Sequence, residues 1–326
     1  MKMKKIAAIL CSAAMMLNLG TAVFAEEEST AFSFTKSYTT TAGVTPAVIP
    51  AETLKFSVTP NEGNPDNTPI TVSDVAITGS PQNIIVNIPV YTTVGKYNYT
   101  VAEQTGSTQG VTYMTEPFGV QVLVTNDADK DGKLDTQVVF TTSDGNQGKI
   151  EGIVNKYDLG SLTVSKKVSG NLASSSQKFD IDVTFTAENG KTVASAISYG
   201  GNKTIGTNEW VNGSVTKTIS IAANETVTFS NIPAGVTYTV TEQAKHTEED
   251  ANGSHSEKGY EVSYKESDTS RIISAGDADT VEVTNTKGAE VDTGINLDSM
   301  PYIMILALVA VCAVVMFARK RFSANR

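Results

Sequence analysis

Hydrophobic and polar residues alternate in short runs along most of the chain between residues 26 and 293. The runs are rich in Thr, Val and Tyr, and none carries the 3.6-residue period of an amphipathic helix. Turn-forming pairs at Asn189–Gly190 and Asn212–Gly213, and at Asp144–Gly145, interrupt them. This pattern predicts an all-β protein built from β-sandwiches. The clearest predicted strands are Phe32–Tyr38, Ile84–Val90, Tyr97–Val101, Val120–Thr125, Gln137–Thr142, Leu162–Val168, Val215–Ile221, Thr226–Phe229 and Tyr260–Tyr264.

The region contains an internal repeat, because three short segments recur in the same order. In each copy a lysine in the first segment and an asparagine in the last are 119 residues apart. The repeat therefore predicts two tandem domains, at 26–158 and 159–288. The matched segments are Phe34–Tyr38 with Val164–Val168, Tyr99–Gln104 with Tyr238–Gln243, and Ile153–Lys156 with Val283–Lys287.

The two ends of the chain differ from this region. Residues 1–25 combine a basic start with an apolar run and a small residue at the end, which predicts a signal peptide. Residues 300–318 form an uncharged apolar run of 19, long enough for a transmembrane helix, and a basic tail follows. The segment 289–326 is therefore expected to anchor the protein.

Charge and cysteine content exclude several functions. Residues 26–294 contain 18 basic and 34 acidic residues, a net charge near −16, which disfavours nucleic acid and anionic membrane surfaces as partners. The chain has only two cysteines, Cys11 and Cys312, and both lie in the predicted end segments. Disulfides, thiolate metal sites and cysteine nucleophiles are thus excluded from the exported region. Cys11 as a lipoprotein cysteine is disfavoured because the bulky Leu10 precedes it.

Each copy of the repeat places a lysine on the inward face of a strand. Lys36 lies between Phe34 and Tyr38, and Lys166 has apolar neighbours at the same spacing. Because alternate residues of a strand share one face, both ammonium groups are expected to point into the core. Burial disfavours a lone charge and lowers a lysine pKa.

In each copy a glutamate and an asparagine also stand at strand positions whose side chains are expected to point into the core. They are Glu103 and Asn155 in the first domain, and Glu242 and Asn285 in the second. Desolvation would give a neutral lysine amine and a protonated glutamate that polarises the asparagine amide. The amine could then attack the amide carbon and release ammonia, leaving an intramolecular Lys–Asn isopeptide bond. Any one of these residues alone could be a solvated edge, strand-end or turn residue. Two complete sets in matched order favour the chemical interpretation.

The ordered set resembles the sortase-assembled major pilins of Gram-positive bacteria, of the streptococcal T-antigen type. The resemblance covers nearly the whole chain and implies Ig-like domains with one isopeptide bond each. No cofactor is expected, and the protein is no enzyme beyond the single-turnover bond formation. The segments that carry the resemblance are Phe34–Lys36, Tyr99–Glu103, Ile153–Asn155, Leu162–Lys166, Tyr238–Glu242 and Val281–Asn285.

The C-terminal segment looks similar to a sortase sorting signal. In that chemistry a sortase cysteine cleaves between Thr293 and Gly294 and transfers the acyl group to an amine. Asp292 stands where the family usually has proline, so the sortase class that accepts the chain stays open. The alternative is a plain single-span membrane anchor. The short spacer and the short basic end favour sorting.

Polymerisation would need an acceptor lysine. In related pilins it lies a few residues before the linkage asparagine of the first domain, and Lys149 occupies that place. Lys156 and Lys167 are alternative acceptors, and Lys149 could also be an ordinary solvated residue.

An acidic segment copies the first half of a calcium loop. The bidentate glutamate is missing, because Val138 stands at the twelfth position. A solvated acidic hairpin loop is the better interpretation, with calcium as a weak candidate. The carboxylates concerned are Asp127, Asp129, Asp131 and Asp135.

Taken together, these patterns predict the structural backbone subunit of a covalently polymerised pilus, exported and anchored to the bacterial cell wall. Its expected partners are a sortase, other copies of itself in a head-to-tail polymer, peptidoglycan and an unknown host ligand, but no nucleic acid. The alternative is a minor pilin or a stand-alone wall-anchored adhesin. A third class, an extracellular hydrolase, lacks any visible catalytic constellation.

Overall fold

The structure is a computed structural model, which describes residues 30–40, 48–128, 133–143, 148–243, 259–288 and 300–323. The chain divides into two compact units. Unit 1 comprises the residues up to Asp158 together with Gly190–Ser195, and unit 2 comprises Leu159–Asn189 and the residues from Ala196 onward. The short insertion belongs to unit 1 because the Thr192 backbone forms hydrogen bonds there with Ser107 and Gln109. The internal repeat did not predict that residues 190–195, which lie within the second copy, belong to unit 1.

Unit 1 contains a five-stranded sheet and a four-stranded sheet, with a two-stranded ribbon of β2 and β5. The strand orders are β4-β6-β1-β11-β8 and β10-β9-β7-β3. The strands are β1 (Thr30–Thr40), β2 (Thr53–Leu54), β3 (Phe56–Pro60), β4 (Thr71–Val72), β5 (Val75–Ala76), β6 (Gln82–Ile88), β7 (Gly95–Glu103), β8 (Val111–Thr112), β9 (Phe118–Asn126), β10 (Leu134–Thr142) and β11 (Gly152–Tyr157).

Unit 2 contains a six-stranded sheet of order β15-β14-β17-β12-β20-β19 and a three-stranded sheet of order β16-β13-β18. A 3₁₀ turn, Thr207–Glu209, precedes β16. The strands are β12 (Leu159–Ser169), β13 (Phe179–Thr186), β14 (Ile197–Tyr199), β15 (Lys203–Ile205), β16 (Ser214–Ile221), β17 (Thr226–Pro233), β18 (Thr237–Glu242), β19 (Glu261–Glu266) and β20 (Ala278–Thr286).

The first and last strands of each unit are neighbours and run parallel. In unit 1, β1 pairs with β11 so that Lys36 faces Ile153 and Tyr38 faces Asn155. In unit 2, β12 pairs with β20 in the same register, with Lys166 facing Val283. Each lysine is therefore two positions away from its asparagine across one strand pair, and both side chains lie on one face of the sheet.

The all-β, two-domain fold predicted from the sequence is confirmed, and each of the nine predicted strands overlaps an observed one. The strand predicted to end at Val90 ends instead at Ile88, because Pro89 has no N–H to continue the ladder. Asn212 and Gly213 form the expected tight turn, with φ values of 51° and 76° and paired backbone bonds between Val211 and Ser214.

In the described part of the C-terminal segment, residues 300–323 form a helix, α1 (Met300–Ser323). Within the residues that the structure describes, no helix is both long and apolar enough to cross a membrane. The expected membrane span stays a prediction. The predicted signal peptide and the cleavage residues Thr293 and Gly294 lie outside the described residues.

Candidate cross-linking sites

Unit 1 brings its three predicted residues into direct contact. Lys36 on β1 and Asn155 on β11 belong to one sheet, and Glu103 on β7 reaches them from the facing sheet. The Lys36 ammonium donates a hydrogen bond to Glu103 Oε2 over 2.5 Å. The Asn155 amide nitrogen donates to Glu103 Oε1 over 2.6 Å. One carboxyl group therefore bridges the amine and the amide.

This contact lies in the core. Lys36 and Asn155 are each 1% exposed, and Glu103 is buried. Desolvation lowers the pKa of Lys36 below its ordinary value, although its hydrogen bond to Glu103 acts in the opposite direction. Burial thus favours the uncharged amine, which is the nucleophilic form.

The Asn155 side chain is held at both ends. Its nitrogen binds Glu103, and its Oδ1 accepts a hydrogen bond of 2.9 Å from the backbone N–H of Met114. A fixed N–H aimed at a carbonyl oxygen stabilises negative charge that develops there during nucleophilic attack. The backbone of Met114 therefore has the position of an oxyanion donor.

Unit 2 repeats the triad. Lys166 on β12 lies 3.1 Å from Glu242 Oε2, and Glu242 is on β18 of the facing sheet. The Asn285 amide nitrogen donates to Glu242 Oε1 over 2.7 Å. Lys166 and Asn285 are buried, and desolvation lowers the pKa of Lys166. The same three functional groups therefore meet in both units.

The two sites differ in what the lysine contacts. Lys166 donates to Asn285 Oδ1 over 2.5 Å and to the backbone oxygen of Val283 over 3.3 Å. It is close to Glu242 Oε2, but that oxygen accepts no well-directed hydrogen bond, so the contact is an ion pair by distance alone. Its ammonium also lies 4.4 Å from the centre of the Phe179 ring. In unit 2 the amine is thus already at the target amide.

The candidate acceptor lysines are exposed. Lys149 forms an antiparallel bridge with Thr141 just before β11, and its side chain faces solvent. Lys156 is also exposed and forms an ion pair of 2.9 Å with Asp158. Lys167 is exposed beside the buried Lys166. Exposure alone does not separate these three lysines.

The acidic segment falls at the turn between β9 and β10, which pair along their whole length. Asp129 and Asp131 lie outside the described residues. Asp127 and Asp135 stand at the base of the hairpin, where Asp135 accepts a hydrogen bond from the Thr136 N–H. Among the described residues no group of three or more His, Cys, Asp or Glu side chains could hold a metal. Calcium binding remains an untested prediction.

Sequence reasoning missed two groups beside the unit 1 triad. The Met114 N–H carries no side-chain signal, and Glu52 lies in a segment without clear periodicity. Glu52 accepts hydrogen bonds from the hydroxyls of Tyr38 and Tyr113. The one available signal was Tyr38, because a tyrosine on the inward face of a strand needs a partner for its hydroxyl.

Comparison with known proteins finds a similar family for each of the two domains. Residues 22–158 match a family described as the Spy0128-like isopeptide containing domain. Residues 160–287 match a second family, described only as a domain of unknown function (DUF7601). A pilin of Streptococcus pyogenes serotype M1 is 29% identical over 235 residues, which is 70% of this chain and 68% of that protein.

Solved structures agree with this family. The crystal structure of the major pilin from Streptococcus pyogenes matches 80% of this chain and 100% of its own, with a TM-score of 0.52 and 21% identity. The T-13 major pilin of serotype GAS131465 matches 79% of this chain and 97% of its own, with a TM-score of 0.52 and 19% identity. At this identity the likeness shows a shared fold. Together with the family match, it confirms the recognition of a major pilin and does not favour the adhesin alternative.

Proposed function

We propose that this chain is the backbone subunit of a covalently polymerised surface pilus, and that each domain closes one Lys–Asn bond within itself. The family and the pilin relative support the pilus role. The observation that carries the second part is the matched contact of a buried amine, a carboxyl group and an amide in both units.

The chemistry needs no external reagent. The lysine ammonium passes a proton to the glutamate, which leaves a neutral amine and a carboxylic acid. The amine nitrogen attacks Cγ of the asparagine, and the bond from Cγ to Nδ2 then breaks. The glutamic acid gives its proton to Nδ2, which leaves as ammonia, and the resulting carboxylate takes the excess proton from the attacking nitrogen. One C–N bond forms and one breaks, so the step is a single turnover with no cofactor.

The mass of the protein tests this chemistry. The segment between the two predicted ends should be lighter than its sequence mass by two ammonia molecules. Lys36→Ala should restore one ammonia, because it removes one nucleophile. Lys167→Ala is the matched control, since it removes an exposed lysine next to Lys166 and should leave both losses in place. A mass equal to the sequence value would contradict both bonds.

Assembly into a fibre needs a second, intermolecular step. We infer that a sortase cleaves between Thr293 and Gly294, and that an exposed lysine of the next subunit accepts the acyl group. Lys149 is the preferred acceptor, because it is exposed and lies six residues before Asn155, the place that the pilin resemblance implies. The repeated head-to-tail contact gives an open fibre, and the terminal subunit is expected to be joined to peptidoglycan.

An immunoblot of boiled wall extracts tests the acceptor. Wild-type cells should give a ladder of high-mass species. Lys149→Arg should give monomer alone, because arginine keeps the charge but cannot form the linkage, whereas Lys156→Arg should keep the ladder. A ladder that persists in Lys149→Arg would move the acceptor to another lysine. A single band in wild type would instead favour a simple anchored adhesin.

A further inference from the structure

Glu52 of unit 1 is the centre of a hydrogen-bond network outside the Lys–Glu–Asn triad. Its Oε1 accepts from the hydroxyl of Tyr38. Its Oε2 accepts from the hydroxyl of Tyr113 and, over 2.7 Å, from that of Thr108. The three donors are buried. Both oxygens of one carboxylate are thus engaged by groups from β1 and from the segment around β8.

One arm of the network leads to Tyr38, the strand neighbour of Asn155. Tyr38 faces Asn155 across the parallel pair of β1 and β11. Burial and the bond to Glu52 raise the pKa of the Tyr38 hydroxyl, while the Asn155 side chain acts on the same hydroxyl and lowers it. The hydroxyl that donates to Glu52 therefore belongs to the residue that faces the reacting Asn155 across the strand pair.

The other arm leads to the oxygen side of the same amide. Tyr113 is fixed by Glu52 and by the Thr108 N–H, which donates to its hydroxyl over 3.2 Å. The next residue, Met114, supplies the N–H that binds Asn155 Oδ1. Fixing the Tyr113 side chain therefore limits how far this N–H can move from the carbonyl.

Unit 2 lacks the first arm. Val168 faces Asn285 at the position where Tyr38 faces Asn155, and it has no hydroxyl. Asn285 Oδ1 accepts instead from the Lys166 ammonium. Unit 2 orients its amide through the nucleophile itself, whereas Lys36 in unit 1 donates to Glu103. In unit 1 the lysine is not hydrogen-bonded to the amide oxygen, so other groups have to orient the amide.

We propose that Glu52 is a positioning residue for isopeptide formation in unit 1. It fixes Tyr38 on one side and Tyr113 on the other, so that the Asn155 amide is held with its nitrogen at Glu103 and its oxygen at the Met114 N–H. Glu52 exchanges no proton with the reacting groups. This role rests on the proposed cross-linking function and explains how Lys36, which donates its hydrogen bond to Glu103 and not to the amide, meets the amide in one orientation.

The test is the rate of bond formation in the full chain. Glu52→Gln keeps the side-chain size but replaces one acceptor oxygen by an NH₂ donor, so at least one hydroxyl loses its acceptor. Newly synthesised protein is quenched in denaturant at successive times, and peptide mapping measures the cross-linked fraction of each unit. Loss of orientation should slow the unit 1 bond roughly ten- to hundredfold. The unit 2 bond should form at the wild-type rate, which provides an internal control.

A second variant separates positioning from general stability. Asp66→Asn disturbs another tyrosine–carboxylate contact of unit 1, in which Asp66 Oδ2 accepts from Tyr97 over 3.0 Å. The stabilities of both variants are compared in a Lys36→Ala background, where unit 1 cannot cross-link. Asp66→Asn should leave the unit 1 rate unchanged. If Glu52→Gln does not fold, Tyr38→Phe removes only one hydroxyl of the network and should slow the same bond.

Three results would overturn the proposal. A wild-type rate in Glu52→Gln or, where that variant does not fold, in Tyr38→Phe would exclude positioning. If Asp66→Asn slowed the unit 1 bond as much as Glu52→Gln at matched stability, the slowing would be an effect on folding and not on positioning. Absence of the unit 1 bond in the wild type would overturn the cross-linking function itself, and the positioning role with it.

Discussion

The proposed bond of unit 2 should account for a large part of that unit's stability. The informative change is the double variant Lys166→Met/Glu242→Gln, which removes the nucleophile and the acid together. Met keeps a long apolar side chain next to the Phe179 ring, and Gln keeps the shape of Glu242. Because neither replacement leaves an unpaired buried charge, the main loss is the covalent link.

The size of the loss follows from the closed loop. Lys166 and Asn285 are 119 residues apart, and a link that closes such a loop lowers the entropy of the unfolded chain. By analogy with disulfides, the free energy of unfolding should fall by about 5 kcal/mol. For a domain of this size that corresponds to a decrease in Tm of about 20 °C.

Differential scanning calorimetry of the two-domain protein measures this loss directly. The unit 2 transition should move down by the stated amount, while the unit 1 transition provides an internal reference. Lys167→Met, which changes the exposed neighbour of Lys166 on the same strand, should leave both transitions in place. If the double variant shifts the unit 2 transition by only a few degrees, the link is either absent or not stabilising, and intact mass tells these two cases apart.

Two further predictions concern unit 2. In Asn285→Ala the Lys166 amine stays free, and burial keeps its pKa below 10.5, so the unfolded chain binds more protons between the lowered folded pKa and 10.5. The free energy of unfolding, measured with denaturant, should therefore rise as pH rises across that window and fall as pH falls through it. In the cross-linked wild type, Lys166 has no free amine, so this pH dependence should be absent. Gly213→Ala should lower the free energy of unfolding by roughly 1 kcal/mol, because φ is +76° at Gly213. Gly79→Ala, at an open site without a positive φ, should be nearly neutral; a neutral Gly213→Ala would contradict the strain argument.

Alternation along single strands was enough to predict which residues of the triads are buried. A lysine with apolar residues two positions before and two positions after it shares their face of the strand, which packs into the core. Lys36 is buried accordingly. Strand β13 was missed, although its residues Phe179–Thr186 alternate, because Asp180 and Asp182 are of a type depleted in strands. The two-residue strands were missed because so short a segment carries no measurable period.

Contacts between segments far apart in sequence were outside the reach of such patterns. The parallel pairing of β1 with β11 sets the two-residue offset between Lys36 and Asn155, and it depends on the whole topology of unit 1. Glu52 illustrates the same limit, since its partners come from β1 and from the segment around β8. A polar residue in a loop gives no sign in sequence of which buried hydroxyls it will meet.

The positions of the proposed bonds give the two units different roles under tension. If Thr293 of one subunit is joined to Lys149 of the next, tension enters each subunit at Lys149 and leaves it at Thr293. The shortest covalent path runs from Lys149 through β11 into β12, crosses from Lys166 to Asn285 through the unit 2 bond, and continues to Thr293. Residues 167–284 then lie outside the stretched path, so the unit 2 sandwich cannot be pulled apart from its ends.

The unit 1 bond lies off this path, because residues before Lys149 carry no tension between the two intermolecular links. If this bond forms, it is expected to raise the resistance of unit 1 against heat and proteolysis by closing a long loop. If Lys156 were the acceptor lysine instead of Lys149, the unit 2 bond would still lie on the stretched path and the unit 1 bond would still lie off it. Acceptance at Lys167 would place the entry point inside the loop closed by Lys166 and Asn285, one residue after the cross-link. The pull would still leave that loop through the peptide bond to Lys166, so the sandwich would remain shielded by the same bond.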